Sequence, residues 1–262
     1  MRIRSHITSE DGTVWYYEQE GSGPNIVLIP DGLGECELFD KPMSIIAAQG
    51  YTVTTFDMPG MSRSSNAPSS TYQDVTAQKL AKSVIGVLDK LNINFASFWG
   101  CSSAASTVLV LCIDFPDRVR NVLAHEAPMI THDFLKDLPA TDPGTISSSM
   151  AAITRSMSSN ETAWDNLGSE VHNRLKENYV RWAHGYPLSI PQSCPTDVDV
   201  LRGKPIDWTV GASTQNQMFF DNIVIATKAG VPISTLPGQH FPYVSHPDIF
   251  ANHVVQTTRK YL

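Results

Sequence analysis

Ser102 is the residue whose surroundings most favour covalent chemistry. The segment from Phe95 to Thr107 begins as an apolar, aromatic run, reaches Gly100, and continues as small residues. This pattern predicts a strand, a sharp turn and a helix, the setting in which a G-x-S-x-G motif lifts a nucleophilic serine above a sheet. The motif here is Gly100-Cys101-Ser102-Ser103-Ala104, with alanine at the last position, a departure of one methyl group.

Two alternatives compete with this interpretation. If Ser103 were the nucleophile, Cys101 would stand two positions before it, where the turn favours a smaller residue, so we favour Ser102. A serine–alanine cluster can also simply begin a helix with an N-cap. A serine hydroxyl is a weak nucleophile until a positioned base takes its proton. A catalytic serine therefore requires a suitable base elsewhere in the chain, whereas a helix N-cap does not.

His240 is the strongest candidate for that base. It stands in Pro237-Gly238-Gln239-His240-Phe241-Pro242, directly after the last predicted strand, Val231 to Leu236. The base belongs in a loop at this place when the nucleophile sits on a strand-to-helix turn. His246 is close in sequence, but Ser245-His246-Pro247 is typical of the start of a helix.

Glu126 is the predicted acid that orients the base. In many proteins with this serine turn an aspartate follows the penultimate strand, but here Pro205 to Val210 runs into Gly-Ala-Ser-Thr-Gln-Asn without a carboxylate. Glu126 directly follows the preceding strand, Val119 to His125, and parallel strands end on one rim of a sheet. The resulting order along the chain, serine, then acid, then histidine, is that of enzymes whose nucleophile lies in a G-x-S-x-G turn.

Other readings of the acidic residues remain open. Asp207 lies inside its strand and Asp221 lies several residues past the rim, so both are weaker candidates for the acid. Glu126 would, on its own, be read as the start of a surface loop. His125-Glu126 also begins like the zinc motif H-E-x-x-H, but Met129 stands at the second histidine position, so no metal is expected.

An oxyanion hole requires two backbone amides aimed at the developing negative charge. The motif assigns one to Ser103, the residue after the nucleophile, and the other to the loop after the first buried parallel strand. In that loop, Asp31-Gly32-Leu33-Gly34, we assign Gly32. The chain contains neither G-x-G-x-x-G nor a P-loop, so no nucleotide cofactor is expected.

The order of apolar segments predicts an α/β fold with a mostly parallel sheet. Val14 to Gln19 is predicted as an edge strand and Asn25 to Pro30 as a buried one, and helical and strand patterns then alternate. Residues 129–186 interrupt this order with a serine-rich stretch of helical periodicity and no clear strand. We therefore predict a core of residues 1–128 and 187–262 with a helical cap of residues 129–186.

Composition and charge exclude several partners. The net charge of −7, without a basic run, argues against nucleic acid, because phosphate neutralisation requires clustered Lys and Arg. The first residues lack the apolar stretch of a secretory signal, and no segment has the roughly 18 apolar residues of a membrane helix. The four cysteines are dispersed, without a C-x-x-C pair, which favours a reducing, cytoplasmic location.

Six segments spread over nearly the whole chain make it resemble the α/β hydrolases, and more closely the fungal zearalenone lactonases. They are Trp15-Tyr16-Tyr17-Glu18-Gln19-Glu20, Pro30-Asp31-Gly32-Leu33-Gly34-Glu35-Cys36, Phe56-Asp57-Met58-Pro59-Gly60-Met61-Ser62-Arg63-Ser64, Trp99-Gly100-Cys101-Ser102-Ser103, Asp207-Trp208-Thr209-Val210-Gly211-Ala212 and Gly238-Gln239-His240-Phe241-Pro242-Tyr243-Val244-Ser245-His246-Pro247. The resemblance implies the α/β-hydrolase fold with a helical cap, a homodimer, and a serine hydrolase that opens a macrocyclic resorcylic lactone with the triad Ser102, Glu126 and His240. The pattern has glycine where this chain has Ala104, and the cap differs at apolar positions.

A largely apolar aryl lactone calls for flat side chains and a few polar groups. We expect these from the stretch Arg181 to Pro187 and from the loops around the rim. In the family that this chain resembles, the tryptophan that corresponds to Trp182 faces the substrate. The alternative is that Trp182 packs the cap onto the core. The candidate substrate-binding residues are Asp31 for a substrate hydroxyl, and Trp182, Tyr186, Phe219, Asp221 and Phe241.

Two other functions remain open. One is a general carboxylesterase or a hydrolase of carbon–carbon bonds with the same fold. The other is a non-catalytic ligand receptor built on that fold, which the complete set of Ser, Glu and His disfavours.

Overall fold

The strands of this protein assemble into one mixed sheet. The computed structural model describes residues 1–262, except for the side chains of Phe134 and Asn216. Across the described residues the sheet has the strand order β1-β2-β4-β3-β5-β6-β7-β8. Its strands are β1 Ile3–Thr8, β2 Val14–Gly21, β3 Asn25–Ile29, β4 Thr52–Phe56, β5 Ala96–Cys101, β6 Val119–His125, β7 Ile206–Gly211 and β8 Ile233–Leu236.

Helices cover both faces of the sheet and fill the interval between β6 and β7. They are α1 Asp40–Ala47, α2 Ala77–Lys90, α3 Ser103–Asp114, α4 Pro143–Met157, α5 Glu161–Asp165, α6 Ser169–Gly185, α7 Ile190–Ser193, α8 Val198–Leu201, α9 Asn216–Ala229, α10 Pro242–Ser245 and α11 Pro247–Arg259. The α/β class and the mostly parallel sheet predicted from the sequence are confirmed.

Alternate residues of the central strands enter two separate apolar clusters. In β3, Val27 and Ile29 pack with α2 and α3, whereas Ile26 and Leu28 pack with α1 and α11. Successive side chains of a strand point to opposite faces, and helices cover both faces here, so both sets are buried. This explains why β3 is a continuous apolar run in the sequence.

The first strand was missed by the sequence analysis, and its position corrects a second assignment. β1 pairs antiparallel with β2 and forms the edge of the sheet, so Val14–Gly21 is an inner strand rather than the predicted edge strand. Most residues of β1 are exposed, and their sequence is Ile-Arg-Ser-His-Ile-Thr. An exposed edge strand requires no apolar pattern, which is why periodicity did not detect it.

The helices α4, α5 and α6 occupy the range predicted as the cap. This segment contains helices, short 3₁₀ turns and loops, as its periodicity indicated. Apolar side chains of α4 and α6, including Met150 and Leu175, belong to the same cluster as α1 and α11. The cap therefore packs on one face of the core, while its division at residues 128 and 186 stays a prediction.

The strand register brings the chemically interesting positions to one rim. β5, β6 and β7 are parallel neighbours, and Cys101 at the end of β5 pairs with His125 at the end of β6. The Ser102 amide then donates to the His125 carbonyl at 2.9 Å, and the Glu126 amide donates to the Thr209 carbonyl at 3.2 Å. The first residue after each strand is thus held at the carboxyl edge, where open α/β sheets bind ligands.

Ser102 and Glu126 both have backbone conformations that non-glycine residues rarely adopt. Ser102 has φ 55° and ψ −125°, and Glu126 has φ 49°. Such conformations cost on the order of 1–3 kcal/mol each and persist only where the surrounding structure enforces them. Their presence at the ends of two adjacent strands marks this rim as a candidate functional site.

Gly100 is required because the helix after the turn folds back over it. A Cβ atom at Gly100 would lie 2.2 Å from the Ala104 carbonyl oxygen and 2.4 Å from its carbonyl carbon. Both are backbone atoms, so they cannot rotate away.

We predict that Gly100→Ala lowers the free energy of unfolding by roughly 1–3 kcal/mol, because it overpacks backbone against backbone. The matched control is Gly86→Ala in α2, where nothing lies within 4 Å of the added Cβ. That change should stabilise the protein by roughly 0.5–1 kcal/mol, since glycine is unfavourable inside a helix. Urea unfolding followed by circular dichroism measures both; a Gly100→Ala protein of wild-type stability would contradict the close approach of α3.

Candidate active site

A cavity of about 920 Å³, counted out to its open mouth, lies between the carboxyl rim and the cap. Residues from the strand ends and from cap helices line it together. Among them are the predicted residues Asp31, Gly32, Ser102, Ser103, Trp182, Tyr186, Phe219, His240 and Phe241.

The central interaction is a hydrogen bond between Glu126 and His240. Glu126 Oε2 lies 2.7 Å from His240 Nδ1, and Glu126 Oε1 accepts from the Gly211 amide at 2.7 Å. Both side chains are buried. An ionised carboxylate only accepts hydrogen bonds, so Nδ1 carries the proton and Nε2 is left as the basic nitrogen.

Glu126 is held in its ionised form. Burial opposes ionisation, but the hydrogen bond from His240 and the proximity of His125 and His240 outweigh it and lower the pKa of Glu126 to about 2. The carboxylate is therefore charged at neutral pH. This is the state required of an acid that orients a histidine and stabilises its protonated form.

Three further contacts fix the ring of His240. The Phe219 ring stacks on it with centroids 5.1 Å apart and an interplanar angle of 9°. Cys101 Sγ lies 3.8 Å from Nε2 and 3.1 Å from the His240 carbonyl oxygen, to which the thiol donates. The His240 amide donates to the carbonyl of Met157, at the end of α4, at 3.2 Å. His240 is thus attached to the core and to the cap.

Ser102 is half-buried and lines the same cavity as His240. Among the described residues, the polar side-chain contacts of the His240 ring go to Glu126 and Cys101 rather than to Ser102 Oγ. In free enzymes the bond between nucleophile and base is often long and shortens only with substrate bound. Ser102 as nucleophile and His240 as base stay predictions.

His125 is a neighbour of the site that the sequence analysis did not assign. Its Nδ1 lies 2.9 Å from Thr209 Oγ1, and its Nε2 lies 3.8 Å from Glu126 Oε2. Burial lowers the pKa of His125 to about 4, so the ring is neutral at pH 7. It fills the space beside Glu126 without adding a charge. The only signal in the sequence was its position at the end of a strand.

The loop after β3 leaves one amide available. The Leu33 amide donates to Asp31 Oδ1 at 2.7 Å and the Gly34 amide to the Asp31 carbonyl at 3.0 Å. Within the part of the chain that the structure describes, the Gly32 amide has no such partner. Ser103 is the first residue of α3, and the first amides of a helix have no partner inside it. Gly32 and Ser103 thus have the hydrogen-bonding capacity that an oxyanion hole requires.

Asp31 is buried beside this loop. Its Oδ2 accepts from the Tyr243 hydroxyl at 2.8 Å, in addition to the bond from the Leu33 amide. Burial raises the pKa of Asp31 from its usual range, against the opposing influence of His240. The carboxyl group lines the cavity with two of its hydrogen bonds already satisfied by the protein.

Asp221 is the candidate that the structure does not bring to the cavity. It is exposed on α9. Phe219 has non-helical torsion angles (φ −133°, ψ 22°), which kink α9 and leave Phe219 against His240. Asn222 is the buried side chain of the next turn: its Oδ1 accepts from the Ala127 amide and Trp208 Nε1, each at 2.8 Å. A kink inside a helix leaves no periodic signal, so the sequence could not show that Asp221 is exposed and Asn222 is buried.

One group of side chains has the composition of a metal site. Ligand atoms of Glu35, Cys36 and Asp57 lie within 4.8 Å of one another. However, Arg63 donates to both Asp57 oxygens, at 2.7 and 3.0 Å, and to Glu35 at 2.6 Å. We assign this cluster to the scaffold, because the guanidinium already supplies the positive charge that the carboxylates require.

Comparison with known proteins agrees with the fold. Residues 24–187 match the family model described as the alpha/beta hydrolase fold. The chain belongs to the α/β-hydrolase family.

Two relatives of this hydrolase match over their full length. A protein named zearalenone hydrolase from Cladophialophora bantiana is 63% identical over 100% of this chain and 98% of its own. A second protein of that name, from Bionectria ochroleuca, is 58% identical over 100% of both chains. An enol-lactonase from Burkholderia xenovorans has the same fold, with a TM-score of 0.77 at 18% identity over 97% of this chain and 100% of that one. None of the helices in the described chain is long and apolar enough to cross a membrane.

We predict that Glu126→Gln lowers the kcat of the hydrolase by about 10⁴-fold, because a neutral amide does not stabilise the imidazolium and favours the wrong tautomer. The control is Asp207→Asn. Asp207 lies near the amino end of β7 and binds Lys260 at 2.9 Å and Tyr261 at 2.8 Å, away from the rim. That variant should lose about 1 kcal/mol of stability while keeping kcat. Steady-state kinetics measure the loss of kcat, and thermal unfolding measures the loss of stability. A loss of kcat in Asp207→Asn alone would assign the role of the acid to Asp207.

Proposed function

We propose that this chain is a serine hydrolase that opens the ester of a macrocyclic resorcylic lactone such as zearalenone. The observation that carries the proposal is the full-length identity of 63% and 58% to two proteins named zearalenone hydrolase. The buried pair of Glu126 and His240, with His240 and Ser102 lining one cavity, supports a serine mechanism.

In this mechanism Ser102 Oγ attacks the lactone carbonyl while its proton passes to His240 Nε2. The amides of Gly32 and Ser103 donate to the resulting oxyanion. Collapse of the tetrahedral adduct breaks the bond to the ring oxygen, which takes the proton from His240 and leaves Ser102 acylated. Water then gives a proton to His240 and attacks the ester carbonyl. The bond between the acyl carbon and Ser102 Oγ breaks, His240 returns the proton to Oγ, and the carboxylic acid is released.

The lactone places a demand on the cavity that a simple ester does not. The alcohol released in the first step is part of the same molecule, so it stays tethered to the acyl-enzyme. The opened chain must therefore fit whole beneath the cap. The apolar lining from Trp182, Tyr186, Phe219 and Phe241, with Asp31 as the polar group for a substrate hydroxyl, suits such a ligand.

Two features of the proposal go beyond the site. A homodimer and a cytoplasmic location stay predictions. The alternative substrate class is a simple carboxylic ester, since the same residues would hydrolyse it by the same steps.

We predict that wild-type protein opens zearalenone and that Ser102→Ala abolishes this turnover, by about a millionfold. The change removes one hydroxyl from a half-buried position, so folding and ligand binding should be retained. Chromatography of the opened product measures turnover, and titration of zearalenone against Ser102→Ala measures binding. Hydrolysis of a simple aryl ester without any opening of zearalenone would favour the esterase alternative, and near wild-type activity in Ser102→Ala would refute the serine mechanism.

We predict that Trp182 forms a wall of the substrate site. The indole is half-buried and packs against both apolar clusters of the core, so it has a packing role as well. Trp182→Ala should therefore reduce kcat/KM for zearalenone more than Trp182→Phe, which keeps a flat ring. Melting temperature and lactone turnover are measured on the same samples. Parallel losses of Tm and activity, or a lower Tm with unchanged kcat/KM, would assign Trp182 to cap packing alone.

A further inference from the structure

The cap helix α6 holds the loop that carries the Gly32 amide. Asn178 and Trp182 are four residues apart on α6, so they share one face of the helix. Both contact the segment from Asp31 to Gly34. Trp182 contacts Gly32, and Asn178 contacts Leu33.

Asn178 is buried and uses its whole amide group in contacts outside its own helix. Its Oδ1 accepts from the Ser62 amide at 2.9 Å. Its Nδ2 donates to the Leu33 carbonyl and to Ser62 Oγ, each at 2.7 Å. The Ser62 amide can only donate, so the oxygen of Asn178 must face Ser62 and the nitrogen must face Leu33.

This contact completes the hydrogen bonding of the loop around Gly32. The Leu33 and Gly34 amides are held by Asp31, and the Gly34 carbonyl accepts from the Met58 amide at 3.0 Å. The Leu33 carbonyl is held by Asn178. The Gly32 amide shares its peptide group with the Asp31 carbonyl, which accepts from the Gly34 amide, and the Gly34 amide shares its peptide group with the Leu33 carbonyl that Asn178 holds. The bond from Asn178 therefore restrains, through the Gly34 peptide group, the direction of the Gly32 amide.

The other side of Gly32 is closed by Trp182. A Cβ atom at Gly32 would lie 2.3 Å from Trp182 Cδ1 and 2.6 Å from Nε1. The indole therefore lies directly on the Gly32 Cα. Asn178 and Trp182, which lie one turn apart on α6, thus both restrict the movement of the loop.

We propose that Asn178 is a positioning residue that directs the Gly32 amide toward the oxyanion formed on attack by Ser102. The inference rests on the serine mechanism proposed above, and it does not depend on the identity of the ester. Oxyanion donors stabilise the transition state only when their direction is fixed before reaction. A cap residue would then act on the chemical step although it does not touch the reacting atoms.

The competing explanation is that Asn178 merely attaches the cap. Arg174, one turn earlier on α6, provides a comparison, because it attaches the same helix through Glu35 at 2.6 Å and Glu37 at 2.7 Å. Arg174 has no hydrogen bond to residues 31–34 among the described contacts. Its removal should weaken the attachment of the cap without changing the direction of the Gly32 amide.

The experiment compares Asn178→Ala, Asn178→Asp and the control Arg174→Gln. Asn178→Asp has the shape of asparagine and still accepts from the Ser62 amide, but it cannot donate to the Leu33 carbonyl. Each variant is assayed for kcat and KM with an aryl ester and with zearalenone. The inhibition constant of an aryl boronic acid is measured as well, because its serine adduct places an anionic oxygen in the oxyanion hole.

We expect kcat to fall at least about tenfold in both Asn178 variants, part of the hundredfold or greater loss that removal of an oxyanion donor causes. Boronate affinity should fall by the same factor, whereas binding of intact lactone, measured with Ser102→Ala as the background, should stay unchanged. Arg174→Gln should keep kcat. Unchanged kcat in Asn178→Asp, equal losses for boronate and intact lactone, or an equal loss of kcat in Arg174→Gln would overturn the proposal. If zearalenone is not opened at all, the aryl ester and boronate still test it separately.

Discussion

The buried hydrogen bond between Glu126 and His240 is the interaction on which the rest of the site depends. A carboxylate in a dry environment is unfavourable unless it is paired and hydrogen-bonded. Glu126 meets this requirement with the Gly211 amide on one oxygen and His240 on the other, which ties the end of β7 to the loop after β8 through a residue that follows β6. Glu126 can therefore follow an inner strand and still reach a histidine in the loop two strands away.

The same rim holds Ser102 and Glu126 in unfavourable backbone conformations. Each is the first residue after a buried parallel strand, and each donates its amide to the neighbouring strand. The sheet thus provides the free energy that keeps both residues in place, and Gly100 allows α3 to begin close enough for the turn to form. The cap completes the site from the other side, since α4 binds the His240 amide and α6 confines the Gly32 loop.

The sequence predicted the parts of this arrangement that depend on local pattern. The serine turn follows from a strand, a glycine and small residues, and the α/β fold follows from the alternation of apolar segments. Glu126 was found because the usual position after the penultimate strand lacks a carboxylate. The edge strand β1, the inner place of β2, the kink at Phe219, and the contacts of His125 and Asn178 were not predictable in this way. They depend on long-range pairing, on burial and on a helix irregularity, none of which has a periodic signature in one sequence.

The most direct test of the central claim is to locate the activated serine with a small fluorophosphonate, which phosphonylates activated serines and requires no accumulation of an acyl-enzyme. The modified protein is digested and the labelled peptide identified by mass spectrometry, with zearalenone as a competitor. The account predicts one label on Ser102, slowed by zearalenone and lost when His240 is replaced by alanine. A label on Ser103 or elsewhere, or full hydrolytic activity in protein quantitatively labelled at Ser102, would contradict it.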